Sequence, residues 1–383
     1  MVIKYKTLFV TFISFACAVL GNLYSYSATS LPEAWTRYHS LMILLILLGI
    51  TINLRSLCFL SKEYSVFRLL IYITCISVVV NETGIFAHSL SGEAMFQIIS
   101  LLLAALILPK LQTEDIQNAI IGIVASQILF AVYYGLSANA GWNTLANSSA
   151  ASFISIIIIL TNKYKAPKWI HYFVSFLAIL VLVISGSRTA LLAFLVSIAY
   201  YELKVMSSET NASVKRFILF GALIVAIFFL QDYISNFFVH KWSSNSTLRD
   251  QLFAGERFKM WSLELQNIKL LGKENNYFWS QYLHADTHNI FIQVLSRYGL
   301  VALLIFLTFS VRLMKDALCL RKSSYSTEAT VFIIYYFITG LFENVLFLDM
   351  KMFTPCSLIL LFYALLEKRK EEVYDDSYAI KTE

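Results

Sequence analysis

Apolar runs long enough to cross a membrane, separated by short polar or charged punctuation, set the pattern of this chain. Residues 7–25, 40–60, 66–86, 94–109, 116–136, 148–162, 169–186, 188–203, 215–231, 288–312, 328–348 and 353–367 read as about twelve spans. None alternates apolar and polar residues in the way a transmembrane barrel strand requires, so the pattern predicts an all-α, polytopic transmembrane helix bundle. The shortest runs, 148–162 and 353–367, predict tilted or partly buried helices and leave room for a count of eleven. The first run, 8–24, lacks a clear small-residue cleavage site and is followed by many more, so it reads as a span and not as a cleavable signal.

Composition sharpens this picture. The 383 residues are 58% hydrophobic, 15% aromatic and only 14% charged, with a mean hydropathy of +0.68. So apolar a chain is no ordinary soluble domain. The net charge of +6 does not point to nucleic acid, because most Lys and Arg lie in short connecting loops where they set topology. With the N-terminus placed in the cytoplasm, Lys4, Lys6, Arg55, Lys62, Arg68, Lys110, Lys163, Lys165, Lys168, Lys204, Lys215, Arg216, Arg312, Lys315, Arg321 and Lys322 all fall inside, as do the basic residues after Glu367. The short outer loops then hold Arg37, Arg188 and Lys351. This asymmetry predicts both termini in the cytoplasm. The cysteines Cys17, Cys58, Cys75, Cys319 and Cys356 lie in or beside apolar runs with no CxxC pair, so neither a disulfide framework nor a metal site is indicated.

The chain therefore divides into spans within 1–231, a long outer loop 232–287, further spans within 288–367, and a tail 368–383 whose mixed charges read as a solvated end. Inside the loop, Gly255-Glu-Arg-Phe-Lys-Met-Trp261 opens a stretch with Phe258, Trp261, Leu265 and Ile268 on one helical face and Gly272 as its stop. Such a helix would lie along the membrane surface and hold Arg257 over the bundle.

Three cationic elements stand out against the apolar background. Ser185-Gly-Ser-Arg-Thr-Ala190 carries Arg188 between two spans with almost no linker. A guanidinium near hydrocarbon is costly unless paired or wetted, which marks a functional candidate, although a snorkelling anchor at a helix end reads the same way. Arg257, with Arg249 and Glu256 nearby, belongs to the loop; taken singly, Arg257 is an ordinary solvated charge. His288, in Asp286-Thr-His-Asn289, stands at the mouth of the next span. Histidine exchanges protons near neutral pH, yet a lone interfacial histidine is as often structural. Asn289 would orient a sugar hydroxyl or cap the helix, with Asp286 and Thr287 the stronger candidates for the cap. The acidic residues Glu82, Glu256, Asp286, Glu343 and Asp349 fall near the same face without a ranking. Two arginines bind phosphate oxygens in bidentate fashion and neutralise a diphosphate without a metal, so together with a histidine they suit the handling of a lipid-linked phosphate.

These three elements, ending in His288-Asn-Ile-Phe-Ile-Gln-Val-Leu-Ser-Arg-Tyr-Gly-Leu300, resemble in order and placement the O-antigen ligase and polymerase superfamily of bacterial envelope proteins. The resemblance implies a GT-C-like bundle with a large periplasmic loop between spans 9 and 10, in the inner membrane. It implies a metal-independent, inverting glycosyltransferase without a cofactor. Arg188 and Arg257 match the arginines held to bind the undecaprenyl diphosphate of the O-polysaccharide donor, and His288 matches the histidine expected to activate the acceptor hydroxyl. A ligase acting on lipid A-core is the preferred expectation, because one large loop follows span nine. A polymerase extending the lipid-linked repeat is the alternative. A flippase for a lipid-linked anion would show polar residues through several spans and repeat symmetry, and neither is evident. A purely structural membrane protein would have no use for Arg188, Arg257 and His288 on one side.

Overall fold

The apolar runs fold as helices because a backbone in a lipid or protein interior must satisfy its own hydrogen bonds, and a helix does so within one segment. The computed structural model describes residues 2–25, 37–52, 65–82, 92–135, 142–185, 187–205, 256–273, 287–319, 324–343, 345 and 352–379. In chain order they form α1 (Val2–Ser25), α2 (Arg37–Ile50), α3 (Ser65–Glu82), α4 (Gly92–Ile107), a short 3₁₀ turn (Leu108–Lys110), α5 (Thr113–Gly135), α6 (Trp142–Asn162), α7 (Lys168–Ser185), α8 (Arg188–Val205), α9 (Glu256–Gln266), α10 (Ile290–Cys319), α11 (Ser324–Gly340) and α12 (Phe353–Ala379). Among the described residues every regular element is helical. Among the described residues, four segments, Tyr5–Leu23, Thr113–Tyr133, Thr144–Thr161 and Ile290–Leu318, are long and apolar enough to cross a membrane, and six shorter apolar helices accompany them. The expected span 215–231 lies outside the described residues.

The surface of the bundle supports the membrane reading. On α7, Trp169, Tyr172, Phe173, Phe176 and Leu180 recur at helical spacing, and Phe176 is 62% exposed. A water-soluble protein would not present such a stripe of aromatic rings without a cover. The interior is organised around α12, which is buried on every side from Phe353 to Leu366 and packs against α1, α5, α6 and α11. A helix that is apolar all round belongs in the middle of a bundle. Polar side chains tie the helices where carbon alone gives little preference in lipid: Thr354 Oγ1 donates to Asn22 Oδ1 at 2.9 Å and Asn22 Nδ2 to Ser126 Oγ at 3.3 Å, joining α12, α1 and α5. At the opposite end of α5, Lys6 meets Asp115 at 2.7 Å.

Several expectations change. The run 148–162 belongs to a helix that begins at Trp142, long enough to cross because the asparagine- and serine-bearing first turns are helical too. The run 353–367 is the buried centre of the bundle, and the helix that contains it continues to Ala379. The run 288–312 is not one uninterrupted helix: Gly299 has φ 88 and ψ 179, and breaks α10 into two halves. The lower half, 300–319, spans about 30 Å by itself at the α-helical rise, the thickness of a hydrocarbon core. The preceding turns are therefore available to build something else.

Candidate functional site

The break in α10 creates the first requirement. At a break, the N–H groups just beyond it lose the carbonyls four residues back. Here the segment following α9 supplies substitutes: Leu300 N–H donates to Lys269 O at 3.0 Å and Val301 N–H to Leu270 O at 3.5 Å. The approach is close enough that only glycines fit. A Cβ on Gly299 would stand 2.2 Å from Leu270 O, and one on Gly272 would stand 2.3 Å from Arg297 O, with both glycines at positive φ. Gly272 is thus not a helix stop, since α9 already ends at Gln266; it is half of a backbone crossing.

A buried ion pair fastens the same crossing. Glu264 on α9 accepts from Lys273 Nζ at 2.6 Å, with side chains 1% and 4% exposed, and also accepts a short hydrogen bond from Ser296 Oγ on the upper half of α10. Desolvated charges are tolerated only when paired and bonded in this way. Residue Met260, one turn before Glu264, is buried, whereas Leu265 and Ile268 of the expected apolar stripe are exposed. Trp261 turns towards α10: its Nε1–H donates to Thr287 O at 2.7 Å. This bond joins the loop helix to the residue before His288.

The turn that carries His288 is wired throughout. Thr287 N–H donates to Gln293 Oε1 at 3.0 Å, and its hydroxyl donates to Asn289 O at 2.9 Å. Asn289 Oδ1 accepts from Phe291 N–H and Ile292 N–H at 2.9 and 3.1 Å. Asn289, and not Thr287, is therefore the N-cap of α10; Asp286, the other expected cap, lies outside the described residues. Its Nδ2 donates to Leu341 O at 3.0 Å, which fixes the start of α10 to the end of α11. Between these bonds His288 adopts φ 52, a left-handed conformation that a side chain with a Cβ resists. Strain of this kind persists only where its surroundings enforce it.

The conformation directs the imidazole at Glu343, just past the end of α11. His288 Nδ1 lies 3.2 Å from Glu343 Oε2, the carboxylate being 6% and the imidazole 28% exposed. When the carboxylate is ionised it only accepts, so the hydrogen bond then places the proton on Nδ1 and the lone pair on Nε2. A partly exposed imidazole backed by a buried carboxylate is a built proton acceptor. Glu343 is the partner that residue-by-residue reading did not single out; the available signal was an acidic residue following directly on an apolar helix, in Gly340-Leu-Phe-Glu343.

The two arginines occupy equivalent positions on their helices. Arg188 is the first residue of α8 and Arg257 the second of α9, after Glu256. A cation in the first turn opposes the helix dipole, whereas an anion placed there gains from the dipole and from the exposed N–H groups together. Arg257 lies one turn from Trp261 and so about 6 Å along the axis from the residue bonded to Thr287. Arg188 follows Ser187, whose carbonyl receives the first backbone bond of α8 from Leu191 N–H at 3.1 Å. Helix α8 packs on α11, the helix that leads to Glu343. Arg249 lies outside the described residues. Among the described residues no group of three or more His, Cys, Asp or Glu side chains converges to hold a metal ion. The chain matches no protein-family model and no curated protein.

Proposed function

We propose that this chain is a membrane glycosyltransferase of the O-antigen ligase and polymerase type, which moves a glycan from a polyprenyl diphosphate carrier to a sugar hydroxyl. The observation that carries the reading is the buried Glu343 carboxylate on Nδ1 of His288, 3.2 Å away. It gives a histidine at one end of an apolar bundle the protonation pattern of a general base. In this account the bundle has about twelve spans in a GT-C-like arrangement and sits in the inner membrane with both termini cytoplasmic. The loop containing α9 is periplasmic, and the site lies at that face.

The step balances without a metal. The acceptor hydroxyl gives its proton to Nε2 of His288, and its oxygen forms a bond to the anomeric carbon of the donor. The bond from that carbon to the diphosphate oxygen breaks, and the electron pair leaves on the diphosphate. Arg188 and Arg257, each at a helix N-terminus, receive that charge in bidentate fashion. Attack opposite the leaving group inverts the anomeric centre. We favour the ligase reaction, in which undecaprenyl-linked O-polysaccharide is passed to lipid A-core; a polymerase would use the same donor and groups with a second lipid-linked repeat as acceptor.

Purified protein supplied with undecaprenyl-diphosphate-linked glycan and lipid A-core is expected to transfer glycan equally well with and without EDTA. Arg188→Ala and Arg257→Ala are each expected to lower the rate about 10²-fold or more, the usual cost of removing one group that stabilises developing charge. Retained transfer in both variants, or strict dependence on a divalent ion, would overturn the mechanism.

A further inference from the structure

We infer that Leu265, Ile268, Leu270 and Leu271 form an interfacial anchor through which the α9 segment rests in the lipid headgroup and upper acyl region of the bilayer that the bundle crosses. The inference rests on the membrane-spanning character of the bundle and not on glycan transfer. These four aliphatic side chains are 52%, 49%, 62% and 38% exposed, in a segment whose opposite side is fastened down by Glu264, Lys273 and Trp261. Four large exposed aliphatic residues within seven positions make a patch that needs a cover.

Two features identify the cover as lipid. The first is continuity. Leu270 O bonds Val301 N–H, at the top of the membrane-length half of α10. The outward face of that half continues with Leu304, Leu307 and Val311, at 57%, 39% and 66% exposure. Leu304 lies only about 5 Å further along the helix axis than Val301, so the patch extends a surface that already faces acyl chains. The same face becomes charged at Arg312 and Lys315, roughly 18–23 Å below Leu300. Cations that snorkel to the far interface thus leave Leu300 and the patch near the other boundary of the hydrocarbon.

The second feature is chemical. Exposed Lys269 sits within the patch and exposed Lys259 on α9 just before it, and long cationic side chains beside aliphatic ones are the composition of segments lying at a phosphate-bearing surface. This face is not the stripe of Phe258, Trp261, Leu265 and Ile268 that helical periodicity predicts, because Trp261 is turned inward and the chain leaves the helix after Gln266. The anchor holds α9, with Arg257 in its first turn, at the depth where the phosphates of a lipid lie.

The test is spin-label accessibility in nanodiscs of phosphatidylethanolamine and phosphatidylglycerol. Single cysteines replace Ile268, Leu270, Leu304 or Gln266 in full-length protein whose five native cysteines are changed to alanine or serine. Leu304 serves as the acyl-facing reference and exposed Gln266 as the aqueous one. Labels at Ile268 and Leu270 are expected to collide with oxygen in preference to a water-soluble nickel chelate, with a ratio several-fold above that at Gln266 and approaching that at Leu304. A nickel-dominated signal would place the patch in water, and low collision with both reagents would mean that a segment of the chain or a second copy covers it; either result overturns the anchor. The readout needs no turnover, so it can fail while glycan transfer stands, and the reverse.

Discussion

Replacing His288 by alanine is expected to lower glycan transfer by about 10²–10⁴-fold, the contribution of a positioned general base, while the protein still reaches the membrane and keeps its thermal stability within a few degrees. The reason is local. His288 is partly exposed and turns Nδ1 to Glu343, whereas the cap of α10 and the tie to Leu341 belong to Asn289. Loss of the ring therefore removes a proton acceptor without opening the helix junction. Glu343 separates the orienting role from a packing role. Glu343→Gln fills the same space and can still hydrogen-bond Nδ1, but it no longer stabilises the imidazolium that forms during attack. We expect kcat to fall about tenfold or more with KM nearly unchanged, and Glu343→Asp to recover part of the loss. Transfer at the original rate by His288→Ala would exclude the base assignment.

Gly299→Val is expected to be the most damaging single change away from the site chemistry. The residue has φ 88 and ψ 179, a conformation that a branched side chain does not adopt without strain of about 3 kcal/mol. In addition, its Cβ would press within 2.2 Å of Leu270 O and 2.5 Å of Gly272 N. Neither atom is the flexible end of a side chain, so the backbones must part. The substitutes for the lost helical bonds of Leu300 and Val301 then go, and the Glu264–Lys273 pair is pulled from Ser296. The helix bearing Arg257 loses its fixed relation to His288. A melting temperature lower by several degrees in detergent, with transfer reduced more than protein abundance, would match this account. A variant indistinguishable from the original in both would show that the crossing of Gly272 and Gly299 does not matter.

The positions of most helices were legible as apolar runs, because length and hydrophobicity alone decide whether a segment can lie in hydrocarbon. The break at Gly299 was not legible. A single glycine inside a helical run costs only about 1 kcal/mol and normally leaves the helix intact, and here the deciding partners are the carbonyls of Lys269 and Leu270 in another part of the chain. The same distance effect hid the inward face of α9. Glu264 breaks the apolar pattern, yet it is buried, since Lys273 and Ser296 neutralise and bond it. His288 was legible as chemistry, but its partner was not, since 55 residues separate it from Glu343 and nothing in either local segment pairs them. Asn289 took the cap from Thr287 because the left-handed turn at His288 starts the helix later than local preference alone would place it.

The measurement that tests the central claim most directly is deletion of the gene in its host, with lipopolysaccharide and the undecaprenyl-linked glycan pool resolved side by side and the strain complemented by the original chain or by His288→Ala. The account predicts that the long ladder disappears from lipid A-core while long chains accumulate on the undecaprenyl carrier, and that only the original chain restores the ladder. A core carrying a single repeat would move the assignment to the polymerase reaction. No change in either pool would contradict glycan transfer altogether.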